Sequence, residues 1–398
     1  MNIGIFTDTY YPQINGVAVS SVMLEKELGK LGHKVYIFTT SDPHMKIKLP
    51  RVFRLPSMPF IFLPSHRVAL IYPPKLLLKL KTLNLDVVHT QTEFGVGHLG
   101  KIVSKFYKLP IVHTYHTMYE DYVHYFAKGY VITPKMAKIY MRNFCNKTDA
   151  VISPVRKTKE ALIESGVTTP IKVIPTGLDF ESLSGENITK EDEARTRAEL
   201  GLKENDKVVL FVGRVAKEKS IDVIMRQIPK LLEKQPNCKF VIVGGGPLLN
   251  SLKEMSGELE IEDKVIFAGA KPWKEVGRYY KIADVFTTAS TSETQGLTYV
   301  EAMIAKKPVV AKKDESVSEI IEHGETGFYF EEEEDVAEVL DYVLSNRELA
   351  ERVAEKGFEQ IQHLSAKQFA KNVEAIYLEL ILNHKKPYSK NKTFLKNF

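Results

Sequence analysis

Short runs of β-branched and apolar residues alternate with amphipathic stretches along this chain, and the alternation runs twice. That is the pattern of parallel strands joined by crossover helices. Strands are expected near Ile3–Phe6, Lys34–Thr39, Asp86–His89, Ile111–Thr114, Ala150–Ser153 and Lys172–Ile174. Helices are expected between them over Val17–Leu31, Leu99–Tyr107, Lys135–Asn146 and Val155–Ser165. The pattern breaks at the polar stretch Asp179–Asp192, then restarts with strands near Val208–Val212, Lys239–Val243, Lys264–Phe267, Val285–Thr287 and Pro308–Ala311. The expected fold class is therefore α/β with two doubly wound domains, residues 1–183 and 184–365, with a final helical segment within 366–398 returning to the first. Ligands of open parallel sheets bind outside the carboxyl ends of the strands, so a site is expected where the two domains face each other across a cleft.

At 398 residues and 44% hydrophobic, the chain is long enough for two cores. Its two cysteines, Cys145 and Cys238, lack metal-ligand or disulfide-framework spacing, which fits a reducing compartment. The strand-like start Met1–Phe6 has neither the basic nor the apolar region of a signal peptide. Apolar runs are cut by Pro59, Pro64, Pro73 and Pro74, far short of the roughly 20 residues that cross a bilayer. The net charge of +5 is small, but its distribution is uneven. Lys46, Lys48, Arg51, Arg54, Arg67, Lys75, Lys79 and Lys81 occupy one acid-free stretch, and the tail after His384 is basic as well. Pro74–Lys81 interleaves bases with leucines, which suits either an interfacial segment or a solvated helix with a buried leucine stripe. On the first alternative, Arg67, Lys75, Lys79 and Lys81 meet anionic membrane lipids, each base near the surface contributing roughly 1 kcal/mol. The protein is then peripheral, at the cytoplasmic face of the membrane. Basic patches without a recognisable nucleic-acid module argue against nucleic acid as a partner.

Three loops draw attention in the second half. Gly213–Ser220 places Arg214 and Lys219 ahead of a helix, a fork and a point charge suited to a diphosphate, though ordinary surface bases read the same way. Gly244-Gly245-Gly246 before Pro247 either lets a backbone approach a ligand or is a tight turn. In Ser292–Met303, a helix starting near Gly296 would aim its free N–H groups at an anion, with Glu293 just outside it and Glu301 within. Carboxylates accept two hydrogen bonds, so one suits sugar hydroxyls and the other a ribose diol. In the first half, Tyr115-His116-Thr117 follows a strand, which places His116 at the cleft. Gly95–Gly100 matches GxGxxG literally, but the preceding strand ends too early for a dinucleotide turn, and a Gly-rich acceptor loop accounts for it better.

The Gly-Arg…Glu-Lys loop, the pattern Glu293-x7-Glu301 with its internal Gly-Leu, and Thr7–Pro12…Asn15-Gly16-Val17 resemble retaining family 4 glycosyltransferases of the GT-B fold, over most of the chain. The resemblance implies that Arg214 and Lys219 hold the diphosphate of a nucleotide sugar, Glu293 contacts the donor sugar and Glu301 binds the ribose. It further implies that backbone near Gly16, and from Gln295 through Gly296 and Leu297 to Thr298, cradles phosphate beside Gly245, that backbone around Lys271 meets the base, and that His116 contacts the donor sugar. Front-face transfer is implied too, with a diphosphate oxygen taking the acceptor proton. Asp8, Glu93 and Asp121 are the alternatives for a side-chain base. The chain contains no Asp-x-Asp, so no metal cofactor is expected: fixed cations and helix N-termini can neutralise the leaving group, each such donor worth up to about 3–4 kcal/mol.

The wording Thr7–Tyr10, His113–Tyr122 and Ser292–Leu297 resembles bacterial diacylglycerol glucosyltransferases, departing at Ala305-Lys306-Lys307-Pro308, where a small or glycine-containing turn is usual. It implies UDP-glucose as donor and 1,2-diacylglycerol as acceptor. The alternatives are addition of a second sugar, glucose or galactose, to a glycolipid, and a non-catalytic membrane-binding scaffold.

Overall fold

Strands covered by helices on both faces need apolar side chains on both, which is why a stretch such as Val208–Val212 runs continuously apolar instead of alternating. The computed structural model describes residues 1–13, 15–43, 45, 48–60, 63–69, 74–116, 133–290 and 295–385. The chain divides into two units, Met1–Pro175 with Phe369–Phe398, and Thr176–Gln368.

The first unit is built on β1 (Asn2–Phe6), β2 (Lys34–Thr40), β3 (Val52–Leu55), β4 (Met58–Phe60), β5 (Leu63–Val68), β6 (Val87–Thr90), β7 (Ile111–Thr114), β8 (Ala150–Ser153) and β9 (Ile171–Val173). Seven of these form a parallel sheet in the order β3-β2-β1-β6-β7-β8-β9, while β4 and β5 pair as an antiparallel hairpin. Every residue of β6 is fully buried. One face of the sheet packs Ile3, Ile5, Val87, Val112 and Ile152 against Phe369, Val373 and Tyr377 of helix Ala366–Lys385. The other packs Phe6, Phe38 and Val88 against Leu99 and Val103 of helix Gly95–Tyr107. Strand order reverses between β1 and β6, so the loops after these two strands are where a doubly wound sheet binds its ligand.

The second unit repeats the plan with β10 (Lys207–Val212), β11 (Cys238–Val243), β12 (Val265–Gly269), β13 (Val285–Thr288), β14 (Val309–Lys312) and β15 (Phe328–Phe330). All pairs are parallel, in the order β12-β11-β10-β13-β14-β15, and the order reverses between β10 and β13. Each face of this sheet carries its own buried cluster.

Four expectations shift. The division falls after Pro175 and not after residue 183, because the segment from Thr176 into the polar stretch packs on the second unit. Leu178 and Leu183 lie in the second unit's core, and the Leu178 N–H donates to the Leu364 carbonyl at 3.0 Å. The return to the first unit likewise comes at Phe369, three residues beyond the expected boundary at 366. The short strands β3 and β15 escaped notice because four and three residues are too few to show a period. Finally, Gly95–Gly100 is no loop but the opening of helix Gly95–Tyr107. Its glycines allow close packing: a Cβ on Gly97 would sit 1.9 Å from the Thr92 carbonyl oxygen, and one on Gly100 2.7 Å from Thr90.

Candidate active site

The loops after β10 and β13, at the second unit's reversal point, carry the expected donor residues. Arg214 is about 38% exposed and its Nη1 stands 3.8 Å from Glu218, a loose pair. Lys219 closes the short helical turn Lys217–Lys219, after which Ser220, at φ 46, opens helix Ile221–Lys234. The Ser290 hydroxyl donates to the Glu218 carbonyl at 3.1 Å and ties the two loops together.

The glycine triplet has a different explanation from the one expected. The backbone that approaches it is the chain's own. A Cβ on Gly244 would lie 1.8 Å from the Gly213 carbonyl oxygen and one on Gly246 2.2 Å from that of Val215. Gly245 has room, its closest neighbour being the Ala270 Cβ at 3.4 Å, and its carbonyl accepts from the Val215 N–H at 3.0 Å. The triplet thus clamps the Gly213–Val215 loop in place. Lys271 follows β12 with its ammonium 5.9 Å from the Tyr279 ring centre.

Gly296 sits at φ 64, ψ 51 and caps helix Leu297–Ile304. A Cβ there would fall 1.6 Å from the Tyr299 ring, so glycine is required twice over, by backbone conformation and by the ring beneath. The helix start leaves the N–H groups of its first turn, Leu297 and Thr298 among them, available to an anion. Gln295 is buried and its amide brackets the Thr176 backbone, accepting from Thr176 N–H at 2.7 Å and donating to Thr176 O at 3.0 Å. Its side chain therefore holds the segment entering the unit. Glu301 is half-buried, and burial pushes its carboxyl up to about 7 despite an opposing hydrogen bond from Tyr280. That hydroxyl donates to Glu301 Oε2 at 2.8 Å and lies 3.0 Å from the Thr298 carbonyl. The unusual turn after this helix is a Schellman closure: Lys306 N–H donates to Met303 O at 3.0 Å and Lys307 N–H to Ala302 O at 2.9 Å, with Lys306 at φ 52. A non-glycine residue there is strained by roughly 1–2 kcal/mol, which explains why glycine is usual. Glu293 lies outside the described residues.

In the first unit, helix Gly16–Lys30 starts after β1, capped by Asn15, whose Oδ1 accepts from Ala18 N–H at 2.9 Å and whose amide donates to Thr9 Oγ1 at 2.7 Å. His116 follows β7, with Nε2 2.6 Å from Gln91 Oε1. An amide oxygen only accepts, so the proton sits on Nε2 and Nδ1 is an acceptor. Burial, aided by His113, pushes this imidazole down to about 3. At neutral pH it is a hydrogen-bonding group and too weak a base to deprotonate an alcohol. Two candidate bases are structural. Asp8 accepts from the Thr92 hydroxyl at 2.6 Å and the Val96 N–H at 3.0 Å, capping helix Gly95–Tyr107, and burial raises it to about 6. Glu93 is buried with its carboxylate 3.1 Å from His113 Nε2. Asp121 lies outside the described residues.

The basic face is mixed. Lys79 and Lys81 are exposed on helix Pro74–Thr82, with Lys79 over the Phe53 ring at 4.8 Å. Lys75 opens that helix, and Arg67 is bound to Ser57, donating to its carbonyl at 2.6 Å. Two neighbouring helices add to the surface. Gly95–Tyr107 and Pro134–Cys145 carry no acid, meet through His98 and Tyr140 at 2.8 Å, and expose Ile102, Phe106, Met136 and Ile139 among Lys105, Lys135 and Lys138. Phe144, by contrast, is buried. Among the described residues no helix is long and apolar enough to cross a membrane.

Sequence reasoning missed Tyr280, Ser290 and Gln91. Each acts through a contact distant along the chain, and no local spacing marks it.

Residues 14–182 match the family model described as Glycosyltransferase Family 4, and residues 192–360 that described as Glycosyl transferases group 1. The alpha-monoglucosyldiacylglycerol synthase of Streptococcus pneumoniae is 38% identical, across 99% of this chain and 89% of that protein. The alpha-monoglucosyldiacylglycerol synthase of Acholeplasma laidlawii is 33% identical, across 98% of this chain and 100% of that protein. Among solved structures, Anabaena Alr3699/HepE in complex with UDP superposes with a TM-score of 0.76 at 19% identity, covering 96% of this chain and 100% of that one. The likeness establishes the fold as GT-B, with two Rossmann-like domains.

Proposed function

The chain belongs to the family 4 glycosyltransferases, and from that premise we propose that it transfers glucose from UDP-glucose to 1,2-diacylglycerol with retention, giving the α-monoglucosyl lipid. The observation that carries this reading is the full-length similarity to two alpha-monoglucosyldiacylglycerol synthases, which spans both the donor half and the acceptor half of the chain.

The acceptor hydroxyl attacks the anomeric carbon on the face that the diphosphate leaves. The bond from that carbon to the β-phosphate oxygen breaks, the new glycosidic bond forms on the same side, and the departing oxygen takes the hydroxyl proton. No side-chain base is needed, in keeping with the structural commitments of Asp8 and Glu93. Arg214, Lys219 and the first-turn N–H groups of helix Leu297–Ile304 neutralise the leaving diphosphate, so no metal ion is required. Glu293 holds sugar hydroxyls, Glu301 the ribose, and His116 the sugar near the reacting carbon.

The acceptor dissolves in a bilayer, so the enzyme works at a membrane surface, the cytoplasmic face, where its nucleotide sugar is supplied. Lys79 and Lys81, together with the acid-free helices Gly95–Tyr107 and Pro134–Cys145, form the docking face for anionic lipid. Apolar side chains such as Phe106, 74% exposed, enter the interface between the bases. Replacing Lys79 and Lys81 with glutamine should weaken binding to anionic vesicles roughly 10-fold or more, at roughly 1 kcal/mol per base, and leave UDP affinity unchanged. Equal loss of both would show that the bases are structural.

The reading is tested by offering UDP-glucose and UDP-galactose, each with diacylglycerol or monoglucosyldiacylglycerol in anionic vesicles, and weighing the lipid products by mass spectrometry. Product is expected from UDP-glucose with diacylglycerol. Turnover confined to the glycolipid acceptor would make this a second-sugar transferase, and no sugar lipid from any pair would leave a membrane-binding scaffold.

A further inference from the structure

The half-buried carboxylate of Glu301 accepts a side-chain hydrogen bond from a different helix. Tyr280 lies on Trp273–Ile282, is fully buried, and donates its hydroxyl to Glu301 Oε2 at 2.8 Å while standing 3.0 Å from the carbonyl of Thr298. Thr298 belongs to the first turn of the helix that also bears Glu301. A single hydroxyl thus touches both the carboxylate and the first turn of the helix that bears it.

We propose that Tyr280 is a positioning residue of the donor site, fixing which oxygen of Glu301 is turned inward and which is presented to the two ribose hydroxyls. The inference rests on the assignment of Glu301 to the ribose. Two hydroxyl donors are accepted best by an ionised carboxylate, since a protonated one gives up an acceptor site to its own proton. Burial works against that ionised form and the Tyr280 hydrogen bond works for it. Tyr280 itself stays a donor, because burial beside Glu301 pushes its phenol well above its usual range. Of the charged groups on the surrounding elements, Arg278 is engaged with Glu199 at 2.9 Å and Glu275 at 3.5 Å, and Lys306 with Glu355 at 2.7 Å. The donor site therefore carries a built-in pH dependence whose midpoint the tyrosine lowers.

The test measures the affinities of UDP and of 2′,3′-dideoxyuridine diphosphate by calorimetry from pH 5.5 to 9 and takes their ratio. The ratio removes titration of the phosphates and of everything not touching the diol. In the wild-type protein it should fall about tenfold from pH 8 to pH 6, following a carboxyl that titrates near 7. In Tyr280→Phe the midpoint should rise by about one pH unit, lowering the ratio about fivefold at pH 7 and leaving it nearly intact at pH 9. Fluorotyrosine placed at position 280, a stronger donor of almost unchanged size, should move the midpoint the other way. In Tyr280→Phe at pH 7 the loss should fall on KM for UDP-glucose ahead of kcat, since Tyr280 touches no reacting atom. A midpoint unmoved in both variants, or a loss of equal size at every pH, overturns the role of Tyr280 while leaving Glu301 on the ribose. A wild-type ratio that is flat with pH and unchanged by Glu301→Gln overturns the ribose assignment itself, and the inference with it.

Discussion

Arg214→Ala lowers kcat about 10²- to 10³-fold, with a smaller rise in KM for UDP-glucose. An oxyanion-stabilising donor in a water-excluded site is worth about 3–4 kcal/mol, and the charge on the diphosphate grows as the glycosidic bond breaks, so most of the loss falls on the chemical step. Arg214→Lys recovers only part of it, since an ammonium cannot span two phosphate oxygens as a planar fork does. Glu218 adds to the effect. Its carboxylate stands 3.8 Å from the guanidinium, and removing Arg214 takes away a cation beside it. Arg214→Ala with Glu218→Gln should therefore be faster than Arg214→Ala alone. Lys219→Ala follows the same logic with a loss of similar order. Steady-state kinetics on vesicle-borne diacylglycerol checks all four variants. If Arg214→Ala kept kcat and raised only KM, the guanidinium would be a ground-state contact and not a stabiliser of the leaving group.

Gly296→Ala carries the other large effect. A left-handed φ of 64 costs an alanine about 1–2 kcal/mol, and the new methyl would lie 1.6 Å from the Tyr299 ring. Tyr299 is fully buried, so it can move only by disturbing its neighbours, and overpacking of this kind costs a further 1–3 kcal/mol or so. What moves is the first turn of helix Leu297–Ile304, and a shift of about 1 Å in such a turn costs around 10² in kcat/KM. The expected result is a lower unfolding temperature with kcat/KM reduced 100-fold or more. Gly245→Ala is the matched control: its new Cβ would find its closest neighbour at 3.4 Å, with no left-handed backbone to oppose it. Activity and stability near wild type are expected there. If Gly296→Ala behaved like Gly245→Ala, the helix start would not be the phosphate cradle.

Much of the fold was legible because parallel strands buried on both faces read as short, largely apolar runs, and Ile111–Thr114 and Ala150–Ser153 match their expected bounds to the residue. The repeated alternation places ligand loops at the carboxyl ends of the strands, and the second unit's reversal point brings Arg214, Lys219, Gln295 and Gly296 to neighbouring loops. What was not legible depends on contacts between distant segments. A glycine run announces that some backbone comes close without saying whose. For Gly244 and Gly246 it is the loop after β10, and for Gly97 it is the end of β6's own connection at Thr92. The polarity of 179–192 reads as a linker, yet Leu183 within it and Leu178 just before it are core residues, and polarity averaged over a window does not show a buried leucine. Asp8 and Glu93 looked available for proton transfer because a sequence does not show that Val96 and His113 already hold them. Tyr280 lies 21 positions before Glu301, on a helix separated from it by β13, and only folding brings its hydroxyl to the carboxylate.

The central claim is front-face glucosyl transfer to diacylglycerol without a metal ion, and one measurement meets it directly. The lipid product made from UDP-glucose and diacylglycerol in the presence of EDTA is purified and its anomeric proton examined by NMR. The small coupling of an α-glucoside, in product formed as fast with chelator as without, is the expected result. The large diaxial coupling of a β-glucoside, or product that vanishes on chelation, would contradict it.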